Sequence, residues 1–252
     1  MSGHSHWAGI KHKKALVDAK RGKLWSKLAK TIIVAASHGG GNPNDNIRLR
    51  KAIEEAKAVS MPNDNISRAI KRGTGELDPV EYDEVVYEGY GQGGAAVMAA
   101  GLTDNRNRTA PEIRKIFEVC GGKLGATGCV GWNFDKMGVF VIPKEQIDEE
   151  KLMDLVVEAG ADDMEDQDES WQVTCSPESF DDVSLCFEKA QLKPELSEIN
   201  MVPKDTVEIT DLSVARAVTR LLEALDDHED IQTVSANFTI SDEIAKQLEE
   251  EG

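Results

Sequence analysis

Apolar positions recur at helical spacing near the start of the chain and change to strand spacing after about residue 80. From about Asp18 to Ser37, Leu24, Leu28 and Ile32 fall at i, i+4 and i+8, and Trp25, Ala29 and Ala36 widen that stripe. Lys20, Lys23, Lys27 and Lys30 fall on another side of the same predicted helix. At ~100° per residue the two stripes lie well apart, so the spacing predicts one buried face and one face presenting amines. Gly39-Gly40-Gly41 ends this helix. Pro43-Asn44-Asp45-Asn46-Ile47 then recurs as Pro62-Asn63-Asp64-Asn65-Ile66, and in each copy an Asn or Asp is placed to cap a helix. The first of these helices carries Leu49, Ala52, Ile53 and Ala56 inward. The second carries Ile66, Ala69 and Ile70 and closes on Lys71-Arg72-Gly73. Three such helices predict a small bundle with a thin core.

Beyond Gly73-Thr74-Gly75 the period is two. Residues 82–88 and 95–100 read as strands around Gly89-Tyr90-Gly91-Gln92-Gly93-Gly94. That run matches GxGxxG, but a strand follows it rather than a helix, so it predicts a hairpin turn and not a dinucleotide site. Thr109 and Glu112 have the spacing of a capping box for a helix carrying Ile113, Ile116 and Phe117, ended by Cys120-Gly121-Gly122. Two strand-like runs flank Asp135-Lys136-Met137-Gly138, and 148–159 is an amphipathic helix. The acidic run from Asp162 to Glu169 has the composition of a solvated loop, although a strand near 161–166 completes a β-α-β-β-α-β order with 171–175, a helix over 180–190 and a strand over 198–202. A helix over 212–225, a strand over 231–238 and a short acidic helix after Ser241 close the chain.

The expected fold class is α+β and multi-domain, with an N-terminal three-helix domain followed by two α/β domains, one inserted in the other. The expected boundaries are 1–78 for a basic helical domain, 79–134 plus 204–252 for a discontinuous α/β domain, and 135–203 for an inserted, acidic, ferredoxin-like domain.

Charge sharpens this division. The 252 residues carry a net charge of −17, yet residues 1–75 hold 15 basic and 5 acidic side chains, a balance of +10. The remainder holds 14 and 41, a balance of −27. Such asymmetry marks a basic binding module on an acidic body that repels polyanions elsewhere. The candidate nucleic-acid contacts are Trp7, Lys11, His12, Lys13 and Lys14 in an N-terminal arm; Lys20, Arg21, Lys23, Lys27 and Lys30 on the first helix; and Arg48, Lys51, Arg68, Lys71 and Arg72 on the next two. Trp7 is suited either to stack on a base or to pin the arm to the helix. Arg106, Arg108, Arg114 and Lys115 form the densest basic group of the acidic body, as a second phosphate contact or as internal partners for carboxylates.

Other chemistries find little support. No apolar run approaches the ~20 residues of a membrane span, and His4, His6, Lys11 and Lys13 interrupt the N-terminus, so a cytoplasmic protein is expected. Cys120, Cys129, Cys175 and Cys186 have no CxxC spacing and read as reduced thiols. No serine, cysteine or histidine sits in a context that activates it, which argues against catalysis. No metal, cofactor or small-molecule substrate is expected, and a monomer is the default.

Five motifs resemble the YebC/PmpR family of transcriptional regulatory proteins, which includes the mitochondrial translational activator of cytochrome c oxidase subunit I. They are Gly3-His4-Ser5-His6-Trp7, Asp18-Ala19-Lys20-Arg21-Gly22-Lys23, Tyr87-Glu88-Gly89-Tyr90-Gly91, Asp104-Asn105-Arg106-Asn107-Arg108-Thr109 and Cys120-Gly121-Gly122-Lys123-Leu124-Gly125. His6 and Gln92 depart from the lysine and proline usual at those places. The resemblance implies a helical domain followed by two α/β domains, and a cytoplasmic, non-enzymatic role on nucleic acid. The partner so implied is DNA, as for a transcriptional regulator, or ribosomal RNA, as for a translation factor. The same amines serve both.

Overall fold

The computed structural model describes residues 18–167 and 169–250. Its first three helices are α1 (Asp18–Gly39), α2 (Ile47–Ala58) and α3 (Asn63–Gly73). They close on a core of Ile32, Ile33, Leu49, Ala52, Ile53, Ala56, Met61, Ile66 and Ala69, with Trp25 and Leu28 at its margin. Leu24 is exposed, so the buried stripe is rotated from its predicted line, and residues 32–36 are buried on every side. That continuous burial follows from a second neighbour: α1 is covered by its own bundle on one side and by the α/β part of the molecule on the other.

The two copies of the repeat do different work. In the first, Asn46 accepts from the Leu49 N–H at 3.0 Å and donates to the carbonyls of Ala35 at 2.7 Å and Gly40 at 2.9 Å. It therefore caps α2 and ties off α1 together. In the second, the helix starts three positions earlier in the motif, with Pro62 at the N-cap and no side-chain cap. Gly73 lets α3 end against α1, since a Cβ there would stand 2.4 Å from the Ile33 carbonyl oxygen.

The central sheet has the order β3-β1-β2-β9 and is antiparallel. Its strands are β1 (Asp83–Tyr90), β2 (Ala96–Thr103), β3 (Lys123–Leu124) and β9 (Ile231–Ala236). Helices α4 (Arg106–Val119) and α7 (Leu212–Asp226) cover one face. Ala95, Val97 and Ala99 point into that layer with Ile113, Phe117, Val218 and Leu222. Ala96 and Met98 point the other way, against Val130, Phe134 and Met201. Burial on both faces explains why residues 95–100 are apolar without alternation. A parallel pair, β8 (Val207–Ile209) with β10 (Phe238–Ile240), and the last helix α8 (Asp242–Glu250) complete this unit.

Between its two parts the chain builds a second sheet from β4 (Phe134–Pro143), β5 (Asp163–Gln167), β6 (Ser170–Cys175) and β7 (Leu196–Pro203), in the order β5-β6-β4-β7. Helices α5 (Glu149–Glu158) and α6 (Phe180–Lys189) lie on one face over Phe140, Ile142, Trp171 and Val173. The fold is α+β, with one α/β unit inserted in the other.

Three local expectations are corrected. The runs flanking residues 135–138 are one continuous strand, β4, because both Phe134 and Ile142 have apolar layers to enter. Of the two readings of the acidic run, the strand near 161–166 holds and the loop does not: Asp163–Gln167 is an edge strand paired with β6, whose outer side leaves its carboxylates in water. Helix α4 starts at Arg106 with Asn105 as its cap, so Thr109 is not a capping residue. Thr109 is buried and bonded to an acid 121 residues away, a demand that local spacing does not show.

Candidate nucleic-acid interface

The predicted contacts separate into three groups. Trp7, Lys11, His12, Lys13 and Lys14 lie outside the described residues. Lys20 and Arg21 belong to the first turn of α1.

The second group is engaged within the fold. The lysine face of α1 docks on the segment Asp226-Asp227-His228-Glu229-Asp230, where α7 ends and β9 begins. Lys23 donates to the Asp227 carbonyl at 3.4 Å, Lys27 to the Asp226 carbonyl, and Lys30 to the Glu229 carbonyl at 3.0 Å. The exposed carbonyls at a helix C-terminus carry partial negative charge, and three ammonium groups suit that end. Lys30 also reaches the Asp230 carboxylate at 2.5 Å, where Asp230 is fully buried and Lys30 is 13 % exposed. Asp230 further accepts from Arg108 at 2.7 Å, Thr109 at 2.6 Å and Thr103 at 3.2 Å. Its backbone carbonyl accepts the Leu102 N–H at 2.8 Å. One carboxylate thus joins α1, β2, α4 and the α7–β9 turn. Burial opposes its ionisation, but the hydrogen bonds from Lys30, Thr109 and Arg108 more than reverse that, holding its pKa far below the usual carboxylate range. The same Asp230 bond raises the pKa of Arg108. His228 accepts the Asp230 N–H at Nδ1 and donates from Nε2 to Glu112, both at 3.1 Å.

Other predicted cations are engaged as well. Arg48 pairs with Glu84 at 2.8 Å, and Lys51 pairs with Asp181 while lying 4.7 Å over the Phe180 ring. Helix α2 therefore touches both α/β units. Arg106 bonds Asp83 at 2.9 Å. Arg106 and Arg108 are internal partners for carboxylates, which was one of the two expected roles.

The third group faces water. Arg68, Lys71 and Arg72 are exposed on α3 and have no ion-pair partner among the described residues. They stand at i, i+3 and i+4, opposite the buried Ile66 and Ala69, so they share one face. Arg114 and Lys115 on α4 are likewise exposed and unpaired among the described residues. Arg50 on α2 has the same standing. The sequence reading does not single it out, although the inward register of α2 that leaves it outside follows from Leu49, Ala52, Ile53 and Ala56.

Among the described residues no group of three or more His, Cys, Asp or Glu side chains is placed to hold a metal ion, and no helix is long and apolar enough to cross a membrane.

Two family models match the chain. One, described as the TACO1/YebC protein N-terminal domain, matches residues 5–76, and one described as the TACO1/YebC second and third domain matches residues 82–238. A probable transcriptional regulatory protein of Rhodopirellula baltica is 59 % identical over 244 residues, covering 96 % of this chain and 98 % of its own. One of the same description from Elusimicrobium minutum is 49 % identical over 248 residues, covering 98 % and 99 %. The crystal structure of a conserved hypothetical protein of Aquifex aeolicus is 48 % identical and superposes with a TM-score of 0.85, over 94 % of this chain and 98 % of that one.

Proposed function

Since the chain belongs to the TACO1/YebC family, we propose that it is a non-enzymatic, cytoplasmic regulator that binds DNA through phosphates. The printed description shared by its relatives, probable transcriptional regulatory protein, supports the regulatory part of this reading. The observation that carries the binding part is the outer face of α3. Acidic side chains outnumber basic ones by 46 to 29 in this protein, yet Arg68, Lys71 and Arg72 remain exposed together without an acidic partner among the described residues. The sequence before α1 adds Lys11, Lys13 and Lys14 to the basic count, and Arg114 with Lys115 supplies a second, smaller foothold.

Phosphate contacts position a protein and do not read sequence. Among the described residues no row of base-reading side chains accompanies these cations, so binding is expected to be strongly dependent on salt and weakly dependent on sequence. With about five phosphates neutralised, log K against log salt should fall with a slope of about −4 to −5. Replacing Arg68, Lys71 and Arg72 together with Glu should weaken duplex binding at least tenfold and flatten that slope. A flat slope for the unaltered protein would end this reading. Crosslinking in cells with sequencing of the attached nucleic acid then identifies the target. Clustered promoter reads support the DNA regulator, and reads dominated by ribosomal RNA replace it with a ribosome-bound factor using the same cations.

A further inference from the structure

Trp132 is the most exposed large apolar side chain among the described residues, at 66 %, and Tyr90 is exposed at 41 %. The two rings meet at one atom: the Trp132 Nε1–H and the Tyr90 hydroxyl both donate to the Cys129 carbonyl, each at 3.0 Å. Their polar ends are satisfied there, and their faces are left to solvent.

The loop that holds them is rigidly tied. Glu88, buried beneath it, accepts the N–H groups of Gly128 at 2.7 Å, Val130 at 2.9 Å and Gly131 at 2.8 Å. Burial opposes ionisation of Glu88, and the three N–H donors together outweigh it, so its pKa is lowered and it stays an anion. On the other side of Trp132, the Asn133 side chain exchanges two hydrogen bonds with the Asp205 backbone, at 2.9 and 3.0 Å. Val130, Asn133 and Phe134 are all buried. Its neighbours are fixed on both sides and its Nε1–H is held by the Cys129 carbonyl, so the indole is anchored at one end while most of it stays exposed.

A cation stands beside Tyr90. Lys123 pairs directly with Tyr90 across β1 and β3, so their side chains leave the same face with Cβ atoms about 5 Å apart. Lys123 is exposed and has no ion-pair partner among the described residues. The nearest acid along β1, Glu88, is turned inward and its oxygens are occupied. A phosphodiester reaching this face meets an ammonium group, and the base attached to it meets aromatic rings.

We infer that Tyr90, Trp132 and Lys123 form a platform on which an unpaired nucleobase of single-stranded nucleic acid stacks, its phosphate held by Lys123. Stacking on an aromatic ring is tolerant of base identity because every base has a π-face. The platform rests on the nucleic-acid reading above but uses other residues, and it selects single strands over duplex, whose bases are already stacked.

The test uses the full chain with three probes: a short oligouridylate, a duplex of equal length, and adenosine monophosphate. The four tryptophan indole N–H resonances are followed by NMR, the Trp132 signal being identified by its loss in W132F. The expected result is a Trp132 shift with the oligouridylate and with the mononucleotide. W132A should bind the oligouridylate about tenfold more weakly and the duplex unchanged, and W132F should retain most of the affinity. Oligouridylate binding with the Trp132 resonance unmoved, or equal affinity in W132A, overturns the platform and leaves the α3 interface standing. If neither polymer binds the unaltered protein, the α3 interface falls, and the mononucleotide decides the platform: a Trp132 shift keeps it, and no shift ends it.

Discussion

Helices α1 and α3 carry basic stripes that read alike in sequence and end in opposite situations. Lys23, Lys27 and Lys30 on α1 stand at i, i+4 and i+7, and Arg68, Lys71 and Arg72 on α3 at i, i+3 and i+4, each set opposite an apolar stripe. The α1 stripe is spent on the end of α7 and on Asp230, whereas the α3 stripe meets water. The difference lies in what the rest of the fold sets opposite each helix. A helix C-terminus followed by a buried carboxylate is a strong sink for ammonium groups, and only α1 has one. Basic spacing on a helix therefore identifies candidates for polyanion contact, and tertiary structure then decides which of them remain available.

The largest test of this contrast is removal of the sink. Asp230→Ala leaves Lys30 without its carboxylate and Arg108 with only its exposed partners Asp104 and Glu229, and breaking a largely buried pair such as Lys30–Asp230 costs about 3–5 kcal/mol. Urea denaturation should record that loss, and a cost under about 1 kcal/mol would reduce the junction to an ordinary surface contact. Lys30→Met leaves Asp230 with Arg108 and two threonine hydroxyls, so about 1–3 kcal/mol is expected. A double-mutant cycle between Lys30 and Asp230 should then show coupling of about 1 kcal/mol or more. On α3, by contrast, changing Arg68, Lys71 and Arg72 one at a time to Ala should move stability by less than about 0.5 kcal/mol each, as for surface positions without partners. A larger change would mean that the α3 stripe is structural too, and the contrast would collapse.

Acid titration sharpens the same comparison. The Asp230 pKa is lowered on folding, so its contribution is complete above the ordinary carboxylate range near pH 4 and is lost as the pH falls below it toward the folded value. Stability of the unaltered protein should drop through that window, and Asp230→Asn should remove part of the drop.

Much of the architecture was legible because it is written in local periods. The inward faces of α2 and α3 follow from Leu49, Ala52, Ile53, Ala56, Ile66 and Ala69 at helical spacing. The β-α-β-β-α-β order of the inserted unit follows from alternation and turn residues. What escaped depends on contacts distant in sequence. Strand β5 is acidic because it is an edge with one side in water, so its own composition reads as a loop and only the order of its neighbours pointed to a strand near 161–166. Thr109 resembles a cap and is instead a donor to Asp230. The repeat around Asn46 and Asn65 looks equivalent, but only the first copy meets the end of another helix. Of the candidate site, Arg68, Lys71 and Arg72 were named from their charge, on a helix whose inward face was read from spacing. The docking of α1 was not, because its acceptors lie about 200 residues downstream.

That separation has a consequence for the growing chain. Lys30 leaves the ribosome 200 residues before Asp230 does. At about 5–20 residues per second, some 10–40 s pass between the two. For that interval the α1 amines have no intramolecular acceptor at the end of α7, and the thin helical core must persist, or wait unformed, without its anchor. Completion of α7 and its turn is the event that retires the nascent basic face and joins the first-made part of the molecule to the last.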